Sequence, residues 1–274
     1  MVHGTNLKTW EDFKTELAQL RRKQESNSRL QRRLYFRGQA DSRWGLATTL
    51  ERHTIGKTEF IDYYRTISVL QAELEAFTEN SWQIPDYAEV CNVARSYDEF
   101  SRRMTFGQNP AYEYMAHLRH HGFPSPLLDW TRSEYIAAYF AFRETHKNEN
   151  ASIYVLSESN TFGGSSRTPR IHRFGPNVKT HRRHFLQQCE YTMCLGFDED
   201  NGAWCFSPHD QAFKTNEEFE ETPFNSTIYK FNIASSERAK VLKSLDEHNL
   251  NAFSLFGSEE SLMETLTLRE YLYA

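Results

Sequence analysis

Two motifs about ninety residues apart combine polar side chains with short apolar segments. The first, Leu-Tyr-Phe-Arg-Gly at residues 34–38, places Arg37 after three apolar residues. The second, at residues 120–131, reads His-His-Gly-Phe-Pro-Ser-Pro-Leu-Leu-Asp-Trp-Thr and leads into the apolar residues 135–141. The ends of strands and the starts of helices hold reactive groups rigidly and leave them accessible to ligands. We therefore expect the two motifs to be the halves of one cleft.

The composition is typical of a globular chain. Its 274 residues are 39% hydrophobic, enough for one large domain with a substantial core. No stretch approaches the roughly 20 apolar residues that span a bilayer, and the first residues do not resemble a signal peptide. The four cysteines, Cys91, Cys189, Cys194 and Cys205, lack Cys-x-x-Cys spacing. We expect a cytoplasmic protein with reduced thiols, no metal site and no membrane partner.

Charged residues are unevenly distributed in a chain whose formal net charge is -5. Two basic groups lie next to the motifs, and two acidic runs occupy residues 217–221 and 259–264. The basic groups consist of Arg21, Arg22, Lys23, Arg29, Arg32 and Arg33, and of Arg167, Arg170, His172, Arg173, Lys179, His181, Arg182, Arg183 and His184. Each group alone is equally consistent with a solvated surface, but their positions favour an anionic ligand.

Hydrophobic spacing predicts helices in the first half of the chain and mostly strands after residue 142. Thr9 is the predicted N-cap of a helix whose apolar face is Trp10, Phe13, Leu17 and Leu20. A second helix carries Phe60, Ile61, Tyr64, Ile67, Leu70, Leu74 and Phe77. Residues 34–36 are a predicted strand that ends at Gly38, and residues 85–121 are mostly helical. Further strands are predicted at 153–156, 190–195, 227–233 and 252–256, helices at 235–245 and 261–271, and a flexible loop at 160–166.

This order of elements predicts an α+β fold with a helical insertion between the first strand and the rest of the sheet. We expect a single domain over residues 1–274. Residues 1–30 contain an N-terminal helix, residues 51–121 form the helical insertion, and residues 122–274 form the main sheet.

Together the motifs resemble the FRG domain over about residues 30–270. The resemblance rests on Tyr-Phe-Arg-Gly-Gln at 35–39, on Trp44-x-Leu46, and on the second motif with Ala-x-Tyr-Phe-Ala at 137–141. The chain departs from the family pattern at two places. It has Arg-His-His-Gly at 119–122, where Gln-His-Tyr-Gly is common, and Gln-Gln-Cys-Glu-Tyr-Thr at 187–192, where Gln-x-Gly-x-Phe-Thr is usual.

The FRG domain in turn resembles the ADP-ribosyltransferase fold, which implies a split mixed β-sheet core and NAD as co-substrate. In that superfamily a first strand supplies an Arg or His that holds NAD, and a second strand ends in a Ser or Thr before a helix. A later strand opens with Gln-x-Glu or Glu-x-Glu. Arg37, Thr131 at the start of a helix, and Gln188-Cys189-Glu190 match these points in order and in element type.

The implied roles fit the chemistry of cleaving the nicotinamide–ribose bond. A carboxylate near the ribose stabilises an oxocarbenium-like state, which is the role implied for Glu190. The planar fork of Arg37 can hold a pyrophosphate bidentately, and Gly38 lets the backbone approach the ligand. Thr131 completes the implied catalytic set. Gln188, two residues before Glu190, favours an amide or nucleobase acceptor.

The other candidate contacts are aromatic or basic. Aromatic rings can stack on nicotinamide, and basic residues interleaved with rings are typical of surfaces that bind unpaired bases. The candidate NAD contacts besides Arg37 and Gly38 are Tyr35, His121, Trp130 and Tyr139, and the candidate acceptor contacts besides Gln188 are Arg182 and Arg183.

The second motif also has purely structural interpretations. Thr131 with Glu134 matches a capping box, which starts a helix and is compatible with a ligand contact. Asp129 and Trp130 are better explained as core groups that lock the turn, with the aspartate accepting hydrogen bonds from backbone N–H groups. His121 is better explained as a structural or ligand-positioning residue than as a metal ligand, because no third ligand has suitable spacing.

Arg37 and Glu190 have alternatives as well. Arg37 can be half of a buried ion pair with Asp129 or Asp41. Glu190 is an ordinary exposed strand residue if the resemblance is set aside, since that is the default for a glutamate in a strand.

The resemblance also suggests a biological role, because the family is associated with bacterial defence and toxin–antitoxin loci. It implies a toxin that ADP-ribosylates nucleic acid and that an antitoxin protein restrains. We favour single-stranded RNA, in particular mRNA, as the acceptor, then single-stranded DNA, with a protein acceptor third. The alternative is a noncatalytic FRG module that binds a nucleotide or nucleic acid. A nuclease is less well supported because the sequence contains no carboxylate cluster with two-metal spacing.

Overall fold

The computed structural model describes residues 2–25, 33–144, 148–158, 169–175, 178, 182–213 and 227–273. Some features singled out in the sequence lie outside these residues: Arg29, Arg32, Arg167, Lys179, His181, the loop at 160–166 and the acidic run at 217–221. The second basic group is therefore described only at Arg170, His172, Arg173, Arg182, Arg183 and His184.

Strands and helices alternate irregularly along the described chain. The strands are β1 (Val2–Leu7), β2 (Arg33–Gln39), β3 (Leu128–Thr131), β4 (Asn150–Glu158), β5 (Arg170–Phe174), β6 (Cys189–Asp198), β7 (Ala203–Phe206) and β8 (Thr227–Ala234). The α-helices are α1 (Trp10–Glu25), α2 (Thr49–His53), α3 (Phe60–Thr78), α4 (Tyr87–Arg95), α5 (Tyr97–Thr105), α6 (Tyr112–His120), α7 (Glu134–Phe142), α8 (Arg182–Leu186), α9 (Arg238–Glu247), α10 (Ala252–Phe256) and α11 (Glu259–Tyr271). Short 3-10 turns occupy His209–Phe213 and Ser235–Glu237.

The eight strands form one mixed sheet in the order β1-β8-β4-β2-β3-β6-β5, and β7 also pairs with β6. β1 and β8 are parallel, and the other paired strands are antiparallel. The prediction of a mixed sheet combined with helices is confirmed at this level. Helices α2–α6 lie between β2 and β3, where the insertion is predicted. Because β1 precedes β2, however, the insertion follows the second strand and not the first.

The N-terminal helix forms as its sequence predicts. Thr9 Oγ1 accepts a hydrogen bond from the Asp12 backbone N–H at 3.1 Å, and Asp12 Oδ2 accepts one from the Thr9 N–H at 3.0 Å. This reciprocal cap satisfies two N–H groups that the helix itself cannot pair. The residues of the predicted apolar face, Trp10, Phe13, Leu17 and Leu20, are all buried. The cap and the apolar spacing together confirm this prediction.

The helix predicted from Phe60 onwards is α3. Phe60, Tyr64 and Ile67 are buried, and Ile61 and Leu74 pack against the same core. Phe77 is 87% exposed, so its assignment to the apolar face is wrong. The helix ends one residue later and is followed by Glu79 in the left-handed conformation, beyond the part that the core covers.

The helices pack against one face of the sheet in two groups. Phe36, Thr131 and Cys189 are cross-strand neighbours on β2, β3 and β6, and side chains in one such row share a face. Helices α1, α7 and α9 form the core around Phe36, whereas helices α3–α6 form the core around Cys189. The two groups of helices therefore meet over the junction of β2 and β3.

Residues 252–256 form helix α10 and not the predicted strand. Asn251 Oδ1 accepts a hydrogen bond from the Ser254 N–H at 3.0 Å, and Gly257 ends the helix with φ 66°. A five-residue apolar run fits a strand or a helix equally well by pattern, so the capping groups at its two ends determine the element.

Other differences from the sequence-based expectation are smaller. The hydrophobic pattern does not predict β1, β5 or β7, and β2 continues through Gly38 to Gln39. Across the described ranges, no helix is both long and apolar enough to cross a membrane.

Candidate ligand-binding site where two strands separate

The central feature of the sheet is a split between β2 and β3. β2 pairs with β4 along its whole length, and β3 pairs with β6 at all four of its residues, but β2 and β3 pair only at Phe36 and Thr131. Beyond that pair the two strands separate. A cavity of about 340 Å³ lies at this point, and Arg37, Gly38, Trp130 and Thr131 line it. The structure thus brings the two sequence motifs together in one cavity.

Arg37 bridges the gap between the separated strands. Its Nη1 donates a hydrogen bond to the Asp129 backbone carbonyl at 2.8 Å, a carbonyl that a continuous β2–β3 ladder would use. Its Nε is buried and has no hydrogen-bond partner among the described residues. Burial lowers the pKa of Arg37 to about 10, with the charge of Asp129 acting in the opposite direction. The guanidinium therefore stays charged at neutral pH and keeps unused N–H donors.

Asp129 anchors this arrangement through a second arginine. Arg119 contacts the Asp129 carboxylate through Nη2 at 2.6 Å and Nε at 3.2 Å, and Arg37 Nη1 lies 4.0 Å from Oδ2. Burial alone would raise the pKa of Asp129, but the charges of Arg119 and Arg37 outweigh it and the pKa lies below its usual range. Arg119 and Arg37 therefore place two positive charges against the Asp129 carboxylate, while Glu144, a second carboxylate in the cavity wall, offsets part of that charge.

Of the two ion-pair partners considered for Arg37, the geometry supports Asp129. Asp41 instead forms its ion pair with Arg43, whose Nη2 lies 2.8 Å from Asp41 Oδ2. The alternative that Asp129 locks the turn also agrees with its contacts, because its carboxylate and its carbonyl hold Arg119 and Arg37.

Gly38 lines the cavity, but its missing side chain serves helix packing. A Cβ at this position would lie 1.9 Å from the Ala137 carbonyl oxygen and 2.6 Å from the Ala141 nitrogen. Both are backbone atoms of α7, so the contact cannot be relieved by a side-chain rotation. The close approach that requires a glycine here is that of α7 to β2, not that of a ligand.

Thr131 is the last residue of β3 and does not open a helix. Helix α7 begins at Glu134 and is capped by Ser133, whose Oγ accepts a hydrogen bond from the Ile136 N–H at 3.3 Å. Thr131 Oγ1 accepts from the Ser133 N–H at 3.2 Å. The predicted capping box of Thr131 with Glu134 is therefore wrong by two residues. Thr131 nevertheless reaches the cavity wall.

Glu190 lies on the strand next to the cavity but not in its lining. It pairs with Trp130 across β3 and β6, and continuation of the register beyond Phe36–Thr131 places Arg37 in the same row. Because β3 lies between them and β2 separates from β3 beyond Phe36–Thr131, the Glu190 and Arg37 backbones are more than two strand spacings, roughly 10 Å, apart. The Glu190 side chain is 3% exposed, with Arg173 Nη1 at 3.3 Å and Arg132 Nε at 4.0 Å. The alternative of an exposed strand residue is wrong.

The three rings proposed to stack on nicotinamide are all buried. Tyr35 lies beneath Arg173, whose guanidinium carbon is 5.5 Å from the ring centroid. Trp130 donates its indole N–H to Thr192 Oγ1 at 2.7 Å, and Tyr139 packs beside Phe140 in the helical core. Of the three rings, only Trp130 lines the cavity.

His121 lies at the end of α6, away from the cavity lining, with its ring centroid 4.3 Å from that of His117. The preceding residue, His120, does line the cavity. Its Nε2 is 2.6 Å from the Tyr191 hydroxyl, which is also 3.1 Å from His184 Nδ1. Burial raises the pKa of Tyr191 far above its ordinary value, so the hydroxyl keeps its proton.

The candidate acceptor residues lie near one another but outside the cavity lining. Gln188 is exposed and has φ 49°, and its carbonyl accepts a hydrogen bond from the Arg132 N–H at 3.3 Å. Arg182 is exposed on α8, and the Arg183 guanidinium stacks 5.4 Å from the Phe256 ring centroid. The structure therefore places Gln188 immediately before β6, in an exposed position.

Sequence reasoning missed several polar and aromatic residues of the cavity wall, among them Gln39, Trp44, Arg52, Phe140, Glu144 and Gln187. Gln39 and Trp44 belong to the segments that carry the FRG resemblance, and this resemblance is the sequence feature that could have identified them. Arg52 comes from α2, and no spacing in the sequence relates it to Arg37. In the described part of the chain, no three His, Cys, Asp or Glu side chains are grouped so that they could hold a metal ion.

Comparison with known families gives one finding that agrees with this geometry. Residues 32–150 match the FRG domain family, from the start of β2 to the start of β4. The match supports the family assignment of the segment that builds most of the cavity, and it ends before Glu190. Neither the curated proteins nor the solved structures contain a match to this chain.

Proposed function

We propose that this protein is an NAD-dependent mono-ADP-ribosyltransferase that modifies nucleic acid. The observation that carries the proposal is that Arg37, Thr131 and Glu190 lie on β2, β3 and β6, which are neighbours in the sheet. The chain separates these residues by long helical and loop segments, so only the strand order brings them together. Their residue types are those that the transferase resemblance requires, and each is at or beside one cavity.

Arg37 is the group that fits the pyrophosphate of NAD. Its guanidinium is fixed by the Asp129 carbonyl, carries positive charge and retains donors that no described residue uses. A phosphate can accept two parallel N–H hydrogen bonds from such a fork. Arg52 is a second cation in the cavity wall, and Glu144 in the same wall opposes its charge. Arg119 takes no direct part and holds Asp129.

Glu190 is the carboxylate that suits the ribose. In the proposed reaction the bond between ribose C1′ and the nicotinamide nitrogen breaks, and nicotinamide leaves with the electron pair. A nucleophilic atom of the acceptor base forms a new bond to C1′ and loses its proton to solvent. The developing positive charge on the ribose is stabilised by a fixed carboxylate. Arg173 and Arg132 hold Glu190 through ion pairs, so a bound ribose must compete with them for the carboxylate oxygens.

We further propose RNA as the favoured acceptor, with single-stranded DNA and protein as alternatives. Arg132 is 52% exposed beside Glu190, and Gln188 and Arg182 are exposed on the same stretch of chain. Exposed cations next to a reaction centre attract a phosphate backbone and orient it. A toxin role, restraint by an antitoxin and a cytoplasmic location follow from the resemblance and remain predictions.

One observation favours a second candidate function, a noncatalytic nucleotide-binding module. Glu190 does not line the cavity and is covered by two arginines, whereas Arg37 is available to an anionic ligand. In this case the cavity binds a nucleotide, and Glu190 is a structural partner of Arg173. The two candidates agree on Arg37 and disagree on Glu190.

The experiment compares the wild type with Glu190→Gln and with Glu259→Gln, an exposed glutamate on α11 that serves as control. Each protein is incubated with NAD labelled in the adenylate phosphate and with separate pools of RNA, single-stranded DNA and lysate protein. The transferase predicts label on RNA, a drop of about 100-fold or more in Glu190→Gln, and unchanged NAD affinity by calorimetry. NAD binding without label in any pool would establish the binding module. Equal labelling by wild type and Glu190→Gln would contradict the assigned role of Glu190.

A further inference from the structure

Trp44 is an exposed tryptophan on a loop that is firmly held. Its side chain is 47% exposed and lines the cavity beside Arg37. Its carbonyl accepts hydrogen bonds from the Tyr154 hydroxyl at 2.8 Å and from Lys230 Nζ at 3.4 Å, and its N–H donates to the Asp41 carbonyl at 3.1 Å. About half of Trp44 is exposed at the cavity wall while its backbone is fixed on three sides, so the exposed part of the ring is a platform for another planar group.

Gln39 lies two residues after Arg37 and is 6% exposed in the wall of the same cavity. Its Nε2 donates to the Gly45 carbonyl at 3.0 Å, which fixes the orientation of the amide because a carbonyl can only accept. The other amide atom, Oε1, is buried and accepts no hydrogen bond from the described residues. A buried acceptor without a donor is costly, and a ligand N–H removes that cost.

We propose that Trp44 and Gln39 form a subsite for the planar ring of the bound nucleotide, in which the ring stacks on Trp44 and an N–H group of the ring substituent donates to Gln39 Oε1. This inference rests on the proposed function for the identity of the nucleotide as NAD. The Arg37 guanidinium beside them then holds the phosphate of the same nucleotide. A ring that presents only hydrogen-bond acceptors to Gln39 is disfavoured, because its acceptor atom and Gln39 Oε1 would face each other.

Two groups of NAD have this chemistry, the amino group of adenine and the carboxamide of nicotinamide. Two analogues distinguish them. Nicotinic acid adenine dinucleotide replaces the carboxamide with a carboxylate, and nicotinamide hypoxanthine dinucleotide replaces the adenine amino group with an oxygen. In either case the substituent itself loses its N–H donors and presents an acceptor to Gln39 Oε1. Hypoxanthine gains a donor only at ring N1, beside the substituent.

The experiment measures the affinity for NAD and for both analogues by calorimetry in wild type, Trp44→Ala, Trp44→Phe and Gln39→Leu. Phe77→Ala, which removes an exposed ring outside the cavity lining, is the control. Trp44→Ala is expected to weaken NAD binding by roughly 5- to 100-fold, since stacking of one base contributes on that order. Trp44→Phe keeps most of the affinity, and Phe77→Ala keeps all of it. Circular dichroism verifies that each variant is folded.

The analogues test Gln39 separately. One analogue is expected to bind the wild type about tenfold more weakly than NAD, as expected for a lost hydrogen bond, and this difference disappears in Gln39→Leu. Which analogue is affected identifies the ring. NAD binding that is equal in wild type, Trp44→Ala and Gln39→Leu overturns the subsite and leaves the proposed function standing. Absence of NAD binding in the wild type overturns the proposed function and this inference with it.

Discussion

Gly38→Ala gives the most direct test of how β2, α7 and the cavity are built. The added Cβ would lie 1.9 Å from the Ala137 carbonyl oxygen, and Cβ contacts below 3.0 Å essentially do not occur. Helix α7 must therefore move away from β2 by at least 1.1 Å, the difference between these two distances. Neither contacting atom belongs to a side chain that can rotate, so the shift must involve the backbone and the core around Phe36.

The expected cost is about 3 kcal/mol of unfolding free energy, at the upper end of the range for overpacked cores. For a chain of this size that corresponds to a decrease of roughly 6–12 °C in Tm. The assay is urea and thermal unfolding followed by circular dichroism. Gly45→Ala is the matched control, because a Cβ there meets nothing within 4 Å, and its stability should stay within about 0.5 kcal/mol of wild type.

A Gly38→Ala protein as stable as the wild type would refute this reasoning. It would mean that α7 does not approach β2 so closely. The glycine would then be better explained by the sequence-based hypothesis that it leaves room for a ligand.

Two further predictions concern pH. Because Arg119 and Arg37 hold the pKa of Asp129 below its usual range, its ion pair stabilises the fold above about pH 4 and is lost as the pH falls through the folded-state pKa. We therefore expect Asp129→Asn to lower the free energy of unfolding by about 2 kcal/mol at pH 7, between the values for exposed and buried ion pairs. Urea unfolding at pH 3 should show a much smaller loss. A loss that does not depend on pH would contradict this reasoning. Burial, with help from the charge of Arg37, lowers the pKa of His209 to about 3. The stability that the neutral, buried ring contributes to the fold is therefore fully present above pH 6.5 and decreases as the pH falls toward 3. An NMR titration should find no change in the His209 ring between pH 8 and 5, and a midpoint near 6.5 would show that the ring is not buried.

Several local features could be read from the sequence because adjacent residues create them. Helix α1 follows from its cap at Thr9 and its apolar spacing, and β4, β6 and β8 follow from apolar runs of strand length. The first motif is in a strand, and the second contains the short strand β3. Caps and apolar spacing involve residues that are close in the sequence, so they are nearly independent of the rest of the fold.

The errors occurred where local patterns allow two outcomes. Residues 252–256 are apolar enough for either element, and the caps at Asn251 and Gly257 make them a helix. Both Thr131 and Ser133 are suitable caps for α7, and the extension of β3 through Thr131 leaves that role to Ser133. In each case the deciding contact lies at the end of the element, where sequence periodicity carries little information.

The sequence by itself predicted that Arg37 and the second motif share one cleft, because their residue types suit a ligand, and the FRG match over residues 32–150 includes both. Only the tertiary structure decided how that site is made. The single β2–β3 pair, the bridge from Arg37 to the Asp129 carbonyl, the exposure of Trp44 and the covering of Glu190 by Arg173 all depend on which strands are neighbours. Strand order follows from the packing of distant segments against each other, and no spacing within a single segment encodes it.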